Sequence, residues 1–294
     1  MLEPLPICYL NGAYLPLSEA RISPLDRGFL FADSVYEVLP VYGGRMFRFC
    51  EHFDRLARSL NEIRLASPHT HEQWLGLLEE LIRRNGGGDM YVYVQVTRGA
   101  DRGRNHAFPA PPAAPTVFAM AAPLPATSSE LRTQGLSAIT VQDFRWTRCD
   151  IKATALLANI LMKQQAADAG ADEAIIIREG EVLEGASSSV FAVIGATVVT
   201  RANDHNVLPG TTRDVALELA AGLVEVHIRP ITVEELRSAR EVWITSATRS
   251  VAPVTRIDGA PVGDGRPGPV WTSINQHFEA LRARLADTPS WSRK

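Results

Sequence analysis

Two hydrophobic periods alternate along this chain, and the switches between them mark its elements. Alternation with a period of two runs through YVYVQVT (91–97) and TVFAMAA (116–122), which predicts two strands separated by a loop rich in Gly, Arg and Pro. ICYL and AYL flank Asn11-Gly12, a hairpin signal, and LPVY and RMFRF flank Gly43-Gly44 in the same way. The helical period takes over in EHFDRLARSLNEIRL (51–65), where Phe53, Leu56, Leu60 and Ile63 share one face. HEQWLGLLEELIRR (71–84) predicts a second helix, ended by Gly86 to Gly88. Both periodicities then fail in PLPATSSELRTQG.

Beyond that break, LSAITVQ (136–142) predicts a strand. EAIIIR and EVLEG read as strands joined by a turn at Glu179-Gly180, and SVFAV and ATVVT as further strands. Helices are predicted in TTRDVALELAAG (211–222), VEELRSA (233–239) and VWTSINQHFEALRARL (270–285). Frequent hairpins within the alternation argue for mixed α+β domains rather than a pure parallel sheet. The reading is a small α/β domain over 1–122, a linker over 123–134 and a larger domain over 135–294.

Composition narrows the classes of function. The 294 residues carry a formal net charge of -3, with 21% charged residues and no basic block, so nucleic acid is not an expected partner. No apolar run approaches the roughly 20 residues a membrane helix requires, and MLEPLPICYLNG lacks the basic start and apolar stretch of a secretory signal. Cys8, Cys50 and Cys149 are few and widely spaced, which fits a reduced, cytoplasmic protein.

Lysine and arginine together number 30, yet only Lys152, Lys163 and Lys294 are lysines. Lys294 ends the chain and is expected to fray. Lys163 lies in the Ala-rich ILMKQQAADAG. Lys152 lies between a strand-like run and a helix in FRWTRCDIKATALLANILM. If an amine is the nucleophile, Lys152 is the candidate, since arginine stays protonated and forms no Schiff base. Glu184 follows at the end of EVLEG and leads into Gly185, Ala186 and three serines. Such a turn can present backbone N–H groups to a ligand, although a salt bridge and a polar turn would leave the same spacing.

Taken together, CDIK (149–152) and LEGASSSVF (183–191) resemble the fold-type IV pyridoxal-phosphate enzymes. The resemblance extends through SPLDRGFLFADSVYEVLPVYGGRMFRFCEHFDRLARSL, LPGTTRDVALELA, ITSATRSVAPVTRIDG and GRPGPV, in order over nearly the whole chain. It implies a two-domain fold-type IV aminotransferase fold, with a smaller N-terminal α/β domain and a larger C-terminal mixed-barrel domain. The cofactor it implies is pyridoxal 5'-phosphate, and the working form is a homodimer.

The resemblance also assigns roles. Lys152 is similar to the Schiff-base lysine, and Glu184 to the carboxylate that partners the pyridine nitrogen and keeps it protonated. Arg55 matches the phosphate-binding arginine, although an exposed helix charge beside Asp54 is the common fate of such a residue. Thr211 and Thr212 open a helix whose N–H groups and hydroxyls suit phosphate, and Leu208 matches an apolar position against the ring. In ITSATRS, Ala247 stands where threonine is common, leaving Ser246 or Thr248 to make the contact. Ser34 stands where many relatives have glycine, and Tyr36 matches a tyrosine facing cofactor and substrate. TRGADRGRNHAFP carries Arg104 and His106 as an R-x-H pair. In D-amino acid aminotransferases such a pair, from the neighbouring subunit, binds the substrate α-carboxylate; Arg102 competes with Arg104 for that place.

The implied reaction is ping-pong transamination between a D-amino acid and a 2-oxo acid, such as D-alanine and 2-oxoglutarate. A branched-chain L-amino acid aminotransferase, an aminodeoxychorismate lyase and an R-selective amine transaminase share the cofactor and remain alternatives. Two further motifs have plainer readings. GDGRPG (263–268) fits G-x-G-x-x-G but lacks a βαβ setting. His69 and His71 lack companions for a metal site, and no metal is expected.

Overall fold

The computed structural model describes residues 3–125 and 129–286. Lys294, and residues 126–128 of the predicted linker, lie outside the described residues. The chain divides into two compact units. Of the described residues, the first takes 3–125, Ile151–Ala155 and the end of the last helix from Arg282; the second takes 129–150 and Leu156–Leu281. These boundaries differ from those drawn on the sequence: the short strip around Lys152 clusters with the first unit, and Ser129–Gln134 is helical.

In the first unit a six-stranded sheet has the order β2-β1-β6-β5-β3-β4. Its strands are β1 (Ile7–Leu10), β2 (Ala13–Pro16), β3 (Ser34–Tyr42), β4 (Arg45–Met46), β5 (Met90–Thr97) and β6 (Thr116–Pro123). Every pairing is antiparallel. The β1–β2 turn takes φ 48° at Asn11 and φ 98° at Gly12, the left-handed pair that a two-residue hairpin requires. The helices are α1 (Arg27–Phe31), α2 (Phe49–Glu62) and α3 (His71–Arg84). A capping box of Thr70 and Gln73 starts α3 where the sequence predicts. α1 lacks a long periodic run and was not anticipated; the Asp26 carboxylate starts it by accepting from Gly28 N.

Alternation sorts the two faces of this sheet. Val35, Leu39, Val41, Val92, Val94, Val96, Val117 and Ala119 join Phe53, Leu56 and Leu60 of α2 and Leu78 and Leu81 of α3 in one buried cluster. Ser34, Tyr36, Tyr93 and Gln95 alternate with these positions and carry the other face, β3 and β5 being paired Ser34↔Thr97 and Tyr36↔Gln95.

The second unit is built on a ten-stranded mixed sheet, in the order β12-β11-β10-β14-β15-β7-β8-β9-β13 with β16 beside β15. Its strands are β7 (Leu136–Gln142), β8 (Glu173–Arg178), β9 (Glu181–Gly185), β10 (Ser189–Ile194), β11 (Thr197–Thr200), β12 (Val226–Ile228), β13 (Ile231–Thr232), β14 (Glu241–Ser246), β15 (Ser250–Ile257) and β16 (Ala260–Pro261). β7 runs parallel to β8 and β15, and β11 to β12; the other pairs are antiparallel. This is the mixed α+β architecture expected from the interleaved hairpins. The helices are α4 (Ser129–Gln134), α5 (Leu157–Asp168), α6 (Thr211–Ala221), α7 (Val233–Ser238) and α8 (Pro269–Ala286). The Glu241 carboxylate accepts from Val270 N and Trp271 N in the first turn of α8. Among the described residues no helix is long and apolar enough to cross a membrane.

Candidate active site

Lys152 lies in an extended strip ahead of α5, held at both backbone polar groups. Its N–H donates to Ser59 Oγ of α2 at 3.2 Å, and its carbonyl accepts from Tyr36 N at 2.9 Å. Ile151 beside it is buried in the first unit's core. The backbone is thus fixed while the side chain runs along the half-buried face of the sheet, with Nζ 4.2 Å from the centroid of the Tyr36 ring. No carboxylate forms an ion pair with this amine among the described residues. Lys163, by contrast, is committed: its Nζ donates to the Asp172 carbonyl and lies 3.6 Å from Glu173.

Arg55 lies on α2, the helix that also supplies Ser59 to the Lys152 strip. Its Nε and Nη2 donate to the two oxygens of Glu37 at 2.7 and 2.8 Å, and His52 Nδ1 lies 2.9 Å from Glu37 Oε2. Glu37 occupies a core-facing position of β3 and is fully buried. Burial opposes its ionisation, but the Arg55 charge and the hydrogen bonds from Arg55 and His52 outweigh that and hold its carboxyl well below the usual range. Burial pushes His52 in the direction of the neutral imidazole. The sequence reading missed Glu37 and His52. The signal was a carboxylate at an alternate position between Val35 and Leu39, where only an apolar side chain or a paired charge is stable.

Arg104 and His106 are exposed on the loop between β5 and β6 and meet at one ring. The Arg104 guanidinium lies 5.1 Å from the Phe31 centroid, and the His106 ring 5.2 Å from it. Arg102 is likewise exposed, with its N–H bonded to Asp101. Buried arginines anchor this loop: Arg27 donates to the carbonyls of Asn105, His106 and Ala107, and Arg98 lies beneath the Phe108 ring. Arg27 and Arg98 share Asp33, whose carboxyl they hold below its ordinary range against the opposing effect of burial. None of these three was singled out in the sequence, since their partners lie far along the chain.

In the second unit, Glu184 ends β9 with its side chain buried. Oε1 accepts from Arg145 Nη1 at 2.5 Å, and Oε2 accepts from Leu208 N at 3.1 Å. Arg145 is in turn held by Asp143, which also takes Arg178. Burial raises the Glu184 pKa above its ordinary value, with Arg145 opposing. Arg145 went unnoticed in the sequence, though Asp143-Phe-Arg145 just ahead of CDIK carries the charge pair.

Thr211 and Thr212 are buried in the first turn of α6, whose N-cap is Gly210 and therefore has no side chain to cap the turn. A Cβ at Gly210 would press on Ser189 Oγ and Arg213 Cβ. Ser246 and Thr248 are half-buried in the β14–β15 turn, where Ser246 Oγ accepts from Arg249 N at 3.2 Å and Arg249 reaches Glu173 at 3.2 Å. His69 packs edge-on against Trp74, while His71 pairs with Asp54 at 3.1 Å. GDGRPG forms the turn after β16 and the approach to α8.

The donor set fits pyridoxal phosphate. A lysine amine without an acid partner suits a carbonyl, and a buried carboxylate backed by one arginine suits a pyridinium N–H. A helix start capped by glycine suits a phosphate.

Residues 34–257 match the model of the amino-transferase class IV family. The D-alanine aminotransferase of Staphylococcus haemolyticus is 38% identical over 271 residues, covering 92% of this chain and 95% of that protein. That of Listeria monocytogenes is 38% identical, with 92% and 93% covered. Among solved structures, a T.th. branched-chain amino acid aminotransferase with pyridoxamine 5'-phosphate superposes with a TM-score of 0.87 at 29% identity, covering 97% of this chain and 96% of that one. The Escherichia coli branched-chain enzyme gives 0.85 at 26% identity, with 94% of each chain covered.

Proposed function

This chain belongs to the class IV aminotransferases, a pyridoxal-phosphate-dependent family, and from that premise we propose that it moves amino groups between D-amino acids and 2-oxo acids, D-alanine and 2-oxoglutarate being the type pair. The observation that carries the reading is the Lys152 amine: it stands over Tyr36 with no acid partner among the described residues, while Lys163 is tied to Glu173. The preference for D substrates is supported by the relatives named D-alanine aminotransferase, at 38% identity over nine-tenths of the chain. Branched-chain enzymes of the same fold are less similar in sequence and make L-leucine the competing substrate.

Pyridoxal phosphate, when bound, supplies the electron sink that makes the substrate Cα–H acidic. Lys152 would hold the cofactor at its carbonyl, and its amine is the group placed to take up a proton at the substrate Cα and to give it back. Glu184, whose ionised form Arg145 favours against the burial that raises its pKa, would pair with the ring nitrogen. Leu208 would pack on the ring. Arg55, Thr211, Thr212 and the turn at Ser246 and Thr248 would hold the phosphate, Glu37 fixing the orientation of the Arg55 fork. Tyr36 would border the substrate, and Arg104 and His106, contributed by the partner copy of a homodimer, would bind its carboxylate. Three free cysteines suit a reducing, cytoplasmic setting.

The test is a paired half-reaction. D-alanine or D-glutamate should convert the bound cofactor faster than the L forms, and Arg104→Ala with His106→Ala should weaken amino acid binding while sparing primary amines that lack a carboxylate. A preference for L-leucine, or indifference of D-alanine turnover to the double replacement, would put the branched-chain reading ahead.

A further inference from the structure

Around Lys152 the structure assigns four polar side chains, those of Tyr93, Gln95, Ser34 and Thr154, to one task. We propose that they form a single relay fixing the Lys152 amine over the Tyr36 ring, which makes Ser34 and Thr154 positioning residues for the amino transfer. The inference rests on Lys152 being the reactive amine.

The hydrogen bonds run in one direction. Tyr93 O–H donates to Gln95 Oε1 at 2.9 Å, and Gln95 Nε2 donates to Ser34 Oγ at 3.1 Å. Ser34 Oγ and Thr154 Oγ1 are bonded to each other, and Thr154 Oγ1 donates to the Ala32 carbonyl at 3.3 Å. With the Thr154 proton directed to the carbonyls of Ala32 and Ser34, Ser34 is the donor between the two hydroxyls, so Gln95, Ser34 and Thr154 each accept from one neighbour and donate to the next. Burial, with the Tyr36 phenol beside it, pushes the Tyr93 phenol up to about 12, so it remains a donor.

The relay reaches the supports of the reacting amine at both ends. Tyr93 lies 5.7 Å, ring to ring, from Tyr36, the ring over which Lys152 Nζ sits at 4.2 Å. At the other end Thr154 is two residues from Lys152, in a strip that pairs with the start of β3. Thr154 N donates to Ser34 O at 3.1 Å, Ala153 bridges Val35, and Tyr36 N donates to Lys152 O at 2.9 Å. Ser34 therefore grips the strip twice, once by its carbonyl and once by its hydroxyl, and is itself fully buried. Glycine at this position would keep the first grip and lose the second.

The test uses Ser34→Ala and Thr154→Val, which remove one hydroxyl each with little change of shape, their double variant, and Thr154→Ser, which keeps the hydroxyl. Hydrogen exchange of the Thr154 amide in the cofactor-free protein reads the strip directly, and kcat and KM for D-alanine read its consequence. Each single removal should speed that exchange and lower kcat about five- to tenfold, the scale of one lost hydrogen bond, with KM within about twofold. Thr154→Ser should behave as wild type, and the double variant should be no worse than either single, because both cut the same link. A lower melting temperature with kcat untouched, or losses that add in the double variant, would overturn the relay. If the wild type transaminates L-leucine and not D-alanine, the substrate assignment fails, and the same variants assayed with L-leucine decide the relay.

Discussion

Lys152 and Lys163 show how one residue type takes opposite roles. The first amine has an aromatic ring beneath it, and the second has a buried carboxylate beside it. Lys152→Ala should abolish transamination and the covalent adduct that borohydride traps with the cofactor, while the fold survives. Lys163→Ala should keep both and lose at most about 1 kcal/mol of stability, since Arg249 still neutralises Glu173. A trapped adduct in the Lys152 variant, located by peptide mass, would move the nucleophile elsewhere. Glu184→Gln tests the second group. The amide keeps the shape and the contact to Leu208 N but cannot balance a pyridinium charge, so kcat should fall about 100-fold or more with cofactor still bound. Unchanged turnover at full cofactor load would remove Glu184 from that role.

At the scale of elements, the loop between β5 and β6 depends on its first turn. Gly99 has φ 90°, and a Cβ there would overlap the Ala114 carbonyl, which is backbone and cannot rotate away. Its carbonyl also accepts from Arg27 N at 2.9 Å, tying α1 to the loop. Gly99→Ala should therefore cost about 2 kcal/mol or more and loosen the segment that carries Arg104 and His106. Trypsin cleavage at Arg102 or Arg104 is the measurement; cleavage no faster than in the wild type would mean that Arg27 and Arg98 hold the loop without Gly99.

For the whole molecule, the buried Glu37 sets an acid limit. Its pKa in the folded chain lies below the ordinary 4.5, so below that pH the unfolded chain binds the extra proton. The contribution is full above 4.5 and is lost as the pH falls through the acid range. Glu37→Gln should lower stability at pH 7 by about 3 kcal/mol, because it removes the buried carboxylate to which both Arg55 and His52 are bonded, and should flatten the acid limb. Urea unfolding at stepped pH reads both effects. An acid limb as steep in the variant as in the wild type would assign it to other carboxylates, of which Asp33 is the nearest candidate in kind.

The sequence by itself determined the elements and the chemical type of the molecule. A period of two or of 3.6 is local information, so β5, α2, α3 and the Asn11-Gly12 turn were legible from a few residues each. Lys152 was legible because arginine nearly replaces lysine in this chain, and the order of motifs such as CDIK and LEGASSSVF carried the cofactor. Only the tertiary structure decided which charges meet. Arg55 matches a phosphate-binding arginine, but nothing in its spacing beside Asp54 shows that it turns inward to Glu37. Glu184 finds Arg145 and Leu208 N, and Ser34 finds Thr154. The short β12, β13 and β16 were likewise invisible, because two or three residues carry no period. The physical reason is the same throughout: a buried ion pair or hydroxyl contact is stable only where two distant segments exclude water together, and that juxtaposition is written in packing, not in spacing.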